Sequence, residues 1–394
     1  MDRIALRAAV LAVALTVMGC GSSAGTGQVP SGQSPVPPSQ APALNVETVA
    51  GGLTHGWDIG FLPDGKVLVT QRNGAMALLS SGAPGATVTT LKAATMTVQV
   101  KGEGGLMGLV VHPDFAQSRE FTTCQTHTEN GSPEDVRLVT WRLTEDEQVA
   151  TRVKELLTGL PLASSGRHSG CRTTLAADGA LLVGTGDTAQ GSVPQDKNSL
   201  GGKLLRVDLK TGRPLPDNPI PGSPVYTYGN RNVQGVALRP GTDQVLMAEH
   251  GPNKNDEINL VVKGGNYGWD PSRGGTVSGY DESVPMTDLD RFPDAVAAKW
   301  ESGATTEAIC ATAFLTGERW GDLEGSLVVT ALKGAKLMLF TLDDSANVVS
   351  VAIPAEIDDQ YGRLRAARTG PDGALYVTTS NGDDDKLLRI TPKA

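Results

Sequence analysis

A turn flanked by two apolar runs recurs six times in this chain, and that repetition restricts the fold more than any other feature. Three copies are sharp. They are Ile59-Gly60-Phe61-Leu62-Pro63-Asp64-Gly65 before Lys66-Val67-Leu68-Val69-Thr70, Leu175-Ala176-Ala177-Asp178-Gly179 before Ala180-Leu181-Leu182-Val183, and Arg368-Thr369-Gly370-Pro371-Asp372-Gly373 before Ala374-Leu375-Tyr376-Val377. Three are degenerate: Val110-Val111-His112-Pro113-Asp114, Leu238-Arg239-Pro240-Gly241 and Phe314-Leu315-Thr316-Gly317. Asp-Gly between short apolar runs is a strong hairpin signal. A hairpin cannot bury its apolar face alone, so repeated hairpins must pack on one another.

Six four-stranded antiparallel units closed radially leave few sheet edges exposed. The expected fold is therefore all-β, a six-bladed β-propeller. Asn45 to Val49 can supply the outermost strand of the blade made by the C-terminal repeat, closing the ring with both chain ends. The 48 glycines and the low aromatic content, 4%, suit short strands and tight turns. A pair of β-sandwiches or an irregular solenoid is the competing arrangement. Long helical periodicity is absent; Val153 to Leu157 is the nearest candidate for a helix.

The N-terminus is a targeting segment. Arg3 and Arg7 precede an apolar stretch from Ala8 to Met18, too short for a comfortable membrane span. Val17-Met18-Gly19-Cys20 then reads as a bacterial lipobox, which makes residues 1–19 a signal peptide and Cys20 the lipidated mature N-terminus. Residues 20–43, rich in Gly, Ser, Pro and Gln, read as a disordered tether. The propeller is expected over residues 44–394, exported and anchored by lipid to the cell membrane, facing the periplasm or cell wall. An exported chain permits a disulfide. Cys124, Cys171 and Cys310 are three, so within one chain at least one thiol stays free, and spacing does not say which. The net charge of −9, with no basic run in the mature chain, argues against a nucleic-acid partner.

Chemistry concentrates in Arg167-His168-Ser169-Gly170-Cys171-Arg172, Tyr228-Gly229-Asn230-Arg231-Asn232 and Glu249-His250-Gly251-Pro252. His168 lies just before the first strand of a repeat and is expected to face the central channel, where an imidazole can act as a base near neutral pH. Arg172 is expected to pair with an acid such as Asp187. Arg231-Asn232 opens the next unit at the same relative place. Arg363 and Arg365 open the last unit two residues apart, and Lys333 ends a strand. Cations gathered on one channel repel one another unless an anionic ligand joins them, and a polycarboxylate would serve. Gly251-Pro252 is a stiffened turn whose carbonyls can point together toward a hard cation such as calcium, whereas His250, Asp256 and Glu257 match no zinc spacing. His55, His112 and His127 receive no role, and His112-Pro113-Asp114-Phe115 is read as a turn. Trp57, Trp141, Trp269, Trp300 and Trp320 are expected to pack blades, and Lys197 to Asp208 reads as a loop and strand edge.

These residues resemble the soluble quinoprotein glucose/sorbosone dehydrogenase family, and most of all its actinobacterial lipoprotein branch. The resemblance runs from about Leu44 to Thr391. It rests on Gly104-Gly105-Leu106-Met107-Gly108, His168-Ser169-Gly170-Cys171-Arg172, Gly186-Asp187, Gly202-Lys203-Leu204-Leu205-Arg206, Gly229-Asn230-Arg231-Asn232, Glu249-His250-Gly251-Pro252, Asp256-Glu257-Ile258-Asn259, Gly265-Asn266-Tyr267-Gly268-Trp269 and Arg363-Leu364-Arg365. It implies a propeller holding pyrroloquinoline quinone (PQQ), a tricarboxylate, with calcium. His168 matches the family's base. Arg231 and Asn232 match the pair that contacts the quinone, with Arg231 also helping to polarise the carbonyl that takes the hydride. Gly251 and Pro252 match the carbonyls that ligate calcium. Lys333, Arg363 and Arg365 match the residues that hold the carboxylates, and Glu103 matches the family's Glu or Gln before the Gly-Leu turn. Four departures fall around the substrate pocket: Cys171 in place of Gly, Ala366 in place of Asp, Arg167 before the base, and an unfamiliar Thr305 to Ala313.

The expected activity is oxidation of the anomeric carbon of an aldose, with an electron acceptor that the sequence does not identify. A non-catalytic envelope propeller that binds a carbohydrate or protein partner is the alternative. A calcium-dependent lactonase is a third reading, but it needs converging acidic ligands where this sequence offers mostly cations.

Overall fold

The computed structural model describes residues 43–93, 97–277 and 279–393; Cys20, the signal peptide and nearly all of the tether lie outside them. Among the described residues the strands form six four-stranded antiparallel sheets. The first strands of the six sheets are Gly56–Phe61, Leu106–Val111, Gly170–Leu175, Val233–Leu238, Ile309–Phe314 and Leu364–Thr369. They touch in succession, and the first blade's strand meets the sixth's, so the ring is closed.

All six turn motifs fall at one place, the link between a blade's first and second strands. The sixth blade takes its outermost strand, Leu44–Leu53, from the N-terminus, paired with Asp385–Pro392. Val153 to Leu157 lies in a strand, Ala150–Leu160, rather than a helix. Pairing with its neighbour outweighs the local pattern there. Lys203–Val207 is flanked by strands on both sides rather than lying at an edge. His112-Pro113-Asp114 is a turn that leads into one helical turn, Phe115–Ser118.

Apolar residues between adjacent blades make the core. Leu181, Val183, Leu205 and Val207 pack against Met107, Leu138 and Leu156, for example. A disulfide joins Cys124 to Cys171 across the second and third blades, leaving Cys310 as a buried thiol.

Each first strand carries a register break near its start: between Gly56 and Asp58, Leu106 and Leu109, Gly170 and Arg172, Val233 and Gly235, Ile309 and Thr312, and Leu364 and Ala367. A bulge leaves a residue unpaired and turns it out of the strict alternation of a strand. Trp57, Cys171, Gln234, Cys310 and Arg365 all sit in these breaks. The starts of the first strands and the ends of the second strands share one end of the ring, and the candidate site lies there.

Candidate active site

His168 is buried and sits in the left-handed region, with φ of 51°. Its Nδ1 is 2.7 Å from Asp187 Oδ1. Asp187 follows Gly186, where a Cβ would lie 1.9 Å from the His168 carbonyl oxygen. Only glycine allows that approach. Asp187 is saturated with donors: Oδ1 also accepts the Ala189 amide at 2.8 Å, and Oδ2 accepts Trp269 Nε1 at 2.8 Å and Tyr280 Oη at 2.6 Å. Burial, and then Asp187 itself, push the Tyr280 phenol up, so it remains a donor. A carboxylate beside Nδ1 keeps the proton there and leaves Nε2 free to accept one. The geometry is that of an imidazole held at Nδ1 with Nε2 left to accept a proton.

Trp269 was expected to pack a blade; it fixes the carboxylate that fixes the histidine. Tyr280 was not foreseen. It belongs to the long strandless segment between Leu260 and Trp300, and that length was the available signal.

Glu103 links three blades. Its carboxylate accepts Asn232 Nδ2 at 3.0 Å, Gln234 Nε2 at 3.0 Å and the Ser169 amide at 3.3 Å. Burial pushes its pKa up, but His168, His250, the Asn232 amide and Arg365 together hold it below the ordinary value. Asn232 Oδ1 accepts the Gly170 amide at 3.1 Å, tying the His168 loop to the fourth blade.

The opposite wall is cationic. Arg365 is buried, with NH1 3.3 Å from Gln234 Oε1 and 3.6 Å from Cys310 Sγ. Arg363 stands exposed just before the strand. Arg72, unforeseen from the sequence, joins them; its NH1 donates to the Gly102 carbonyl at 2.8 Å. Burial, then Arg365 and Arg363, lower the pKa of Arg72; burial, then Arg365, lower that of Arg363. The buried Nε atoms of Arg72 and Arg365 have no acceptor among the described residues, nor does Trp57 Nε1. No carboxylate forms an ion pair with these three guanidiniums among the described residues. Such a set fits a polyanionic ligand. Lys333 is exposed at the same end of the ring, two residues past its strand, and touches none of the three.

Arg172 does not pair with Asp187. Its NH1 meets Asp58 Oδ2 at 3.1 Å, its Nε donates to the Gln234 carbonyl at 2.7 Å, and its guanidinium lies 4.1 Å from the Trp57 ring centroid. First strands ring one axis, so a side chain from the third blade meets the first blade across the channel rather than an acid of its own sheet. Arg368 also binds Asp58 and donates to the Thr173 carbonyl, so ion pairs on Asp58 join the first, third and sixth blades. Lys203, read as part of a loop or edge, is wholly buried and gives its ammonium to the Val193, Pro194 and Gly201 carbonyls. Burial lowers its pKa to about 7.

Arg231 is buried. Its NH1 donates to the His250 carbonyl at 2.7 Å, and its NH2 to Glu282 Oε1 at 2.7 Å. The Gly251 carbonyl accepts His250 Nδ1 at 2.5 Å, and half-buried Pro252 lines a groove with Glu282. A second set of oxygen donors lies beneath. Glu249 and Glu257 are register partners on adjacent strands, both fully buried. Burial raises Glu249 to about 7, and burial, then Glu249, push Glu257 well up. Asn259, bonded to Glu257, has an unpartnered Oδ1. Oxygen-only donors of this kind suit a hard cation or shared protons.

An oriented imidazole, joined through Glu103 and Gln234 to a guanidinium without an ion pair at one end of a closed ring, defines a propeller with a site for a polyanionic group. The glucose/sorbosone dehydrogenase family matches residues 53–389, and this chain belongs to it. It is 30% identical to the aldose sugar dehydrogenase YliI of Escherichia coli K12, over 90% of this chain and 94% of that one. It superposes on the PQQ-bound aldose sugar dehydrogenase of Streptomyces coelicolor with a TM-score of 0.72 at 28% identity, covering 90% of this chain and all of that one. A putative glucose dehydrogenase from Thermus thermophilus gives 0.73 at 34% identity, covering 88% of this chain and all of that one.

Proposed function

We propose that this protein is an exported oxidoreductase, held at the bacterial membrane by lipid on Cys20, that uses PQQ and calcium to oxidise the anomeric carbon of an aldose. The observation that carries the reading is an Asp187-held His168 whose loop is bonded through Glu103 and Gln234 to Arg365, one of three guanidiniums with which no carboxylate forms an ion pair among the described residues. The family, and the PQQ-bound relative named above, support the cofactor. A tricarboxylate would satisfy Arg72, Arg363 and Arg365 with Lys333, while Arg231 and Asn232 would meet the quinone oxygens. For calcium, the Gly251 and Pro252 carbonyls and the Glu249–Glu257 pair offer oxygen donors. The lipobox and the Cys124–Cys171 disulfide support export.

Bound there, the quinone supplies a two-electron acceptor for the hydride on the anomeric carbon. His168 Nε2 takes the proton of the anomeric hydroxyl, and the sugar leaves as a lactone. Asp187 holds the ring in place and stabilises the imidazolium as it forms. Glu103 and Asn232 fix the loop that carries His168. Replacing His168 with Gln lowers dye-linked aldose oxidation by about 10²–10⁴-fold, while the absorbance change on quinone binding persists. Unchanged turnover removes His168 from the reaction. Absence of any spectral change when the protein is titrated with quinone and calcium favours the non-catalytic binding propeller instead.

A further inference from the structure

We propose that the face of the site beside His168 is built for an aldose bearing a carboxylate, a uronic acid, in preference to a neutral sugar; this rests on the dehydrogenase reading above. Arg167 NH2 lies 3.5 Å from His168 Nε2, the ring nitrogen that Asp187 leaves open. A sugar hydroxyl presented to that nitrogen therefore lies beside a guanidinium. Arg167 is 47% exposed, and its Cζ stands 5.9 Å from the Tyr280 ring centroid. Glu282 Oε1 accepts both Arg167 NH2 and Arg231 NH2, each at 2.7 Å. One carboxylate thus serves two guanidiniums, and exposed Lys254 lines the same groove as Glu282. The Nε and NH1 of Arg167 have no side-chain or backbone acceptor among the described residues, so two of its three nitrogens are open to a ligand.

A carboxylate can accept a charge-assisted bond from either free nitrogen, roughly twice as strong as a neutral hydrogen bond. In a hexuronic acid the carboxylate is carried on the carbon across the ring oxygen from the anomeric centre. With the anomeric hydroxyl at His168 Nε2, the carboxylate lies on the side where Arg167 can reach it. A neutral hexose puts a hydroxymethyl group there, which carries no charge to meet the open nitrogens of Arg167.

The test is calorimetric binding of glucuronate against glucose to protein loaded with calcium and with PQQ already reduced to its quinol. Both sugars keep the anomeric hydroxyl, and the quinol cannot take a hydride, so turnover does not intervene. Glucuronate is expected to bind about tenfold more tightly at low ionic strength, the equivalent of about 1.4 kcal/mol, and added salt should shrink the preference. Arg167→Gln abolishes the preference, Arg167→Lys restores part of it, and Glu282→Gln, which frees Arg167, enlarges it. Equal affinities, or a preference that survives Arg167→Gln, overturn the proposal. Dye-linked turnover of glucuronate and glucose separates the two levels. Equal kcat/KM for both sugars leaves the dehydrogenase reading standing and sinks the inference. Arg167-dependent glucuronate binding without oxidation of any aldose keeps the anion site and sinks the dehydrogenase reading.

Discussion

The two walls of the site are finished to different degrees. Around His168 every polar group that orients the ring is already bonded: Asp187 holds four donors, and Asn232 and Glu103 pin the loop from neighbouring blades. Around Arg365 the wall is incomplete. Burial, and then the neighbouring guanidiniums, lower the proton affinity of Arg72 and Arg363, and the Nε atoms of Arg72 and Arg365 have no acceptor among the described residues. The role proposed for His168 requires a ring aimed before a substrate arrives, and its supports are built into the chain. A ligand-binding wall can leave charge unanswered, because the ligand itself completes it and its affinity comes from doing so.

Asp187→Asn should produce the largest effect. It removes the charge that selects the tautomer and stabilises the imidazolium, and aldose turnover should fall by about 10³–10⁴-fold with quinone affinity nearly unchanged. Equal losses in both would mean that the two walls are not separable. Arg365→Leu should do the reverse. Quinone affinity should weaken about 10–100-fold, the loss of a charged hydrogen bond worth about 1.5–3 kcal/mol. The ligand-free protein should melt at the same temperature or higher, because a buried cation without a carboxylate partner has gone. A lower melting temperature without ligand would show that Arg365 is already satisfied.

The disulfide sharpens the contrast within the first wall. Cys171, in the strand that follows the His168 loop, has φ of 71°, a region costly for a side chain. Cys124→Ala should cost about 2–4 kcal/mol of stability and reduce turnover, since the strained residue loses its tether. The double variant Cys124→Ala, Cys171→Gly should recover turnover better than stability, because glycine takes that φ without strain. Indistinguishable kcat values for the two variants would exclude a positioning role.

The smallest effect is in pH. Glu249 has its pKa raised on folding, so its contribution is fully present below the ordinary carboxylate value and is lost as pH rises through about 7. Glu257 acts in the same direction. In chelator, the melting temperature should fall between pH 6 and pH 8, and either Glu249→Gln or added calcium should flatten the fall. A curve insensitive to both would place calcium elsewhere.

The sequence went furthest where a signal was local. Six turn motifs fixed the number and placing of the blades, since each needs only Asp, Gly or Pro between apolar runs. His168, Asn232, Arg231, Arg365 and Glu103 were legible from short motifs, and the structure brings them together. Spacing alone misassigned Arg172 and passed over Arg72, Tyr280 and Glu282. Arg72 follows the second strand of its blade as Asp187 and Lys333 follow theirs, so superposing the repeats would have found it. Tyr280 and Glu282 sit on a segment with no repeat to index them.

By itself, then, the amino-acid sequence determined the repeat, the strand alternation, the closure of the ring by its two ends and the inventory of reactive groups. These follow from hydrophobic period and turn chemistry, which act over a few residues. Only the tertiary structure decided which groups meet. The site is assembled across an axis by residues up to hundreds of positions apart, and bulges at the first strands break the two-residue alternation just where Trp57, Gln234, Cys310 and Arg365 turn inward. Which acid holds which cation is set by that convergence, as Asp58 takes Arg172 and leaves Asp187 to the histidine.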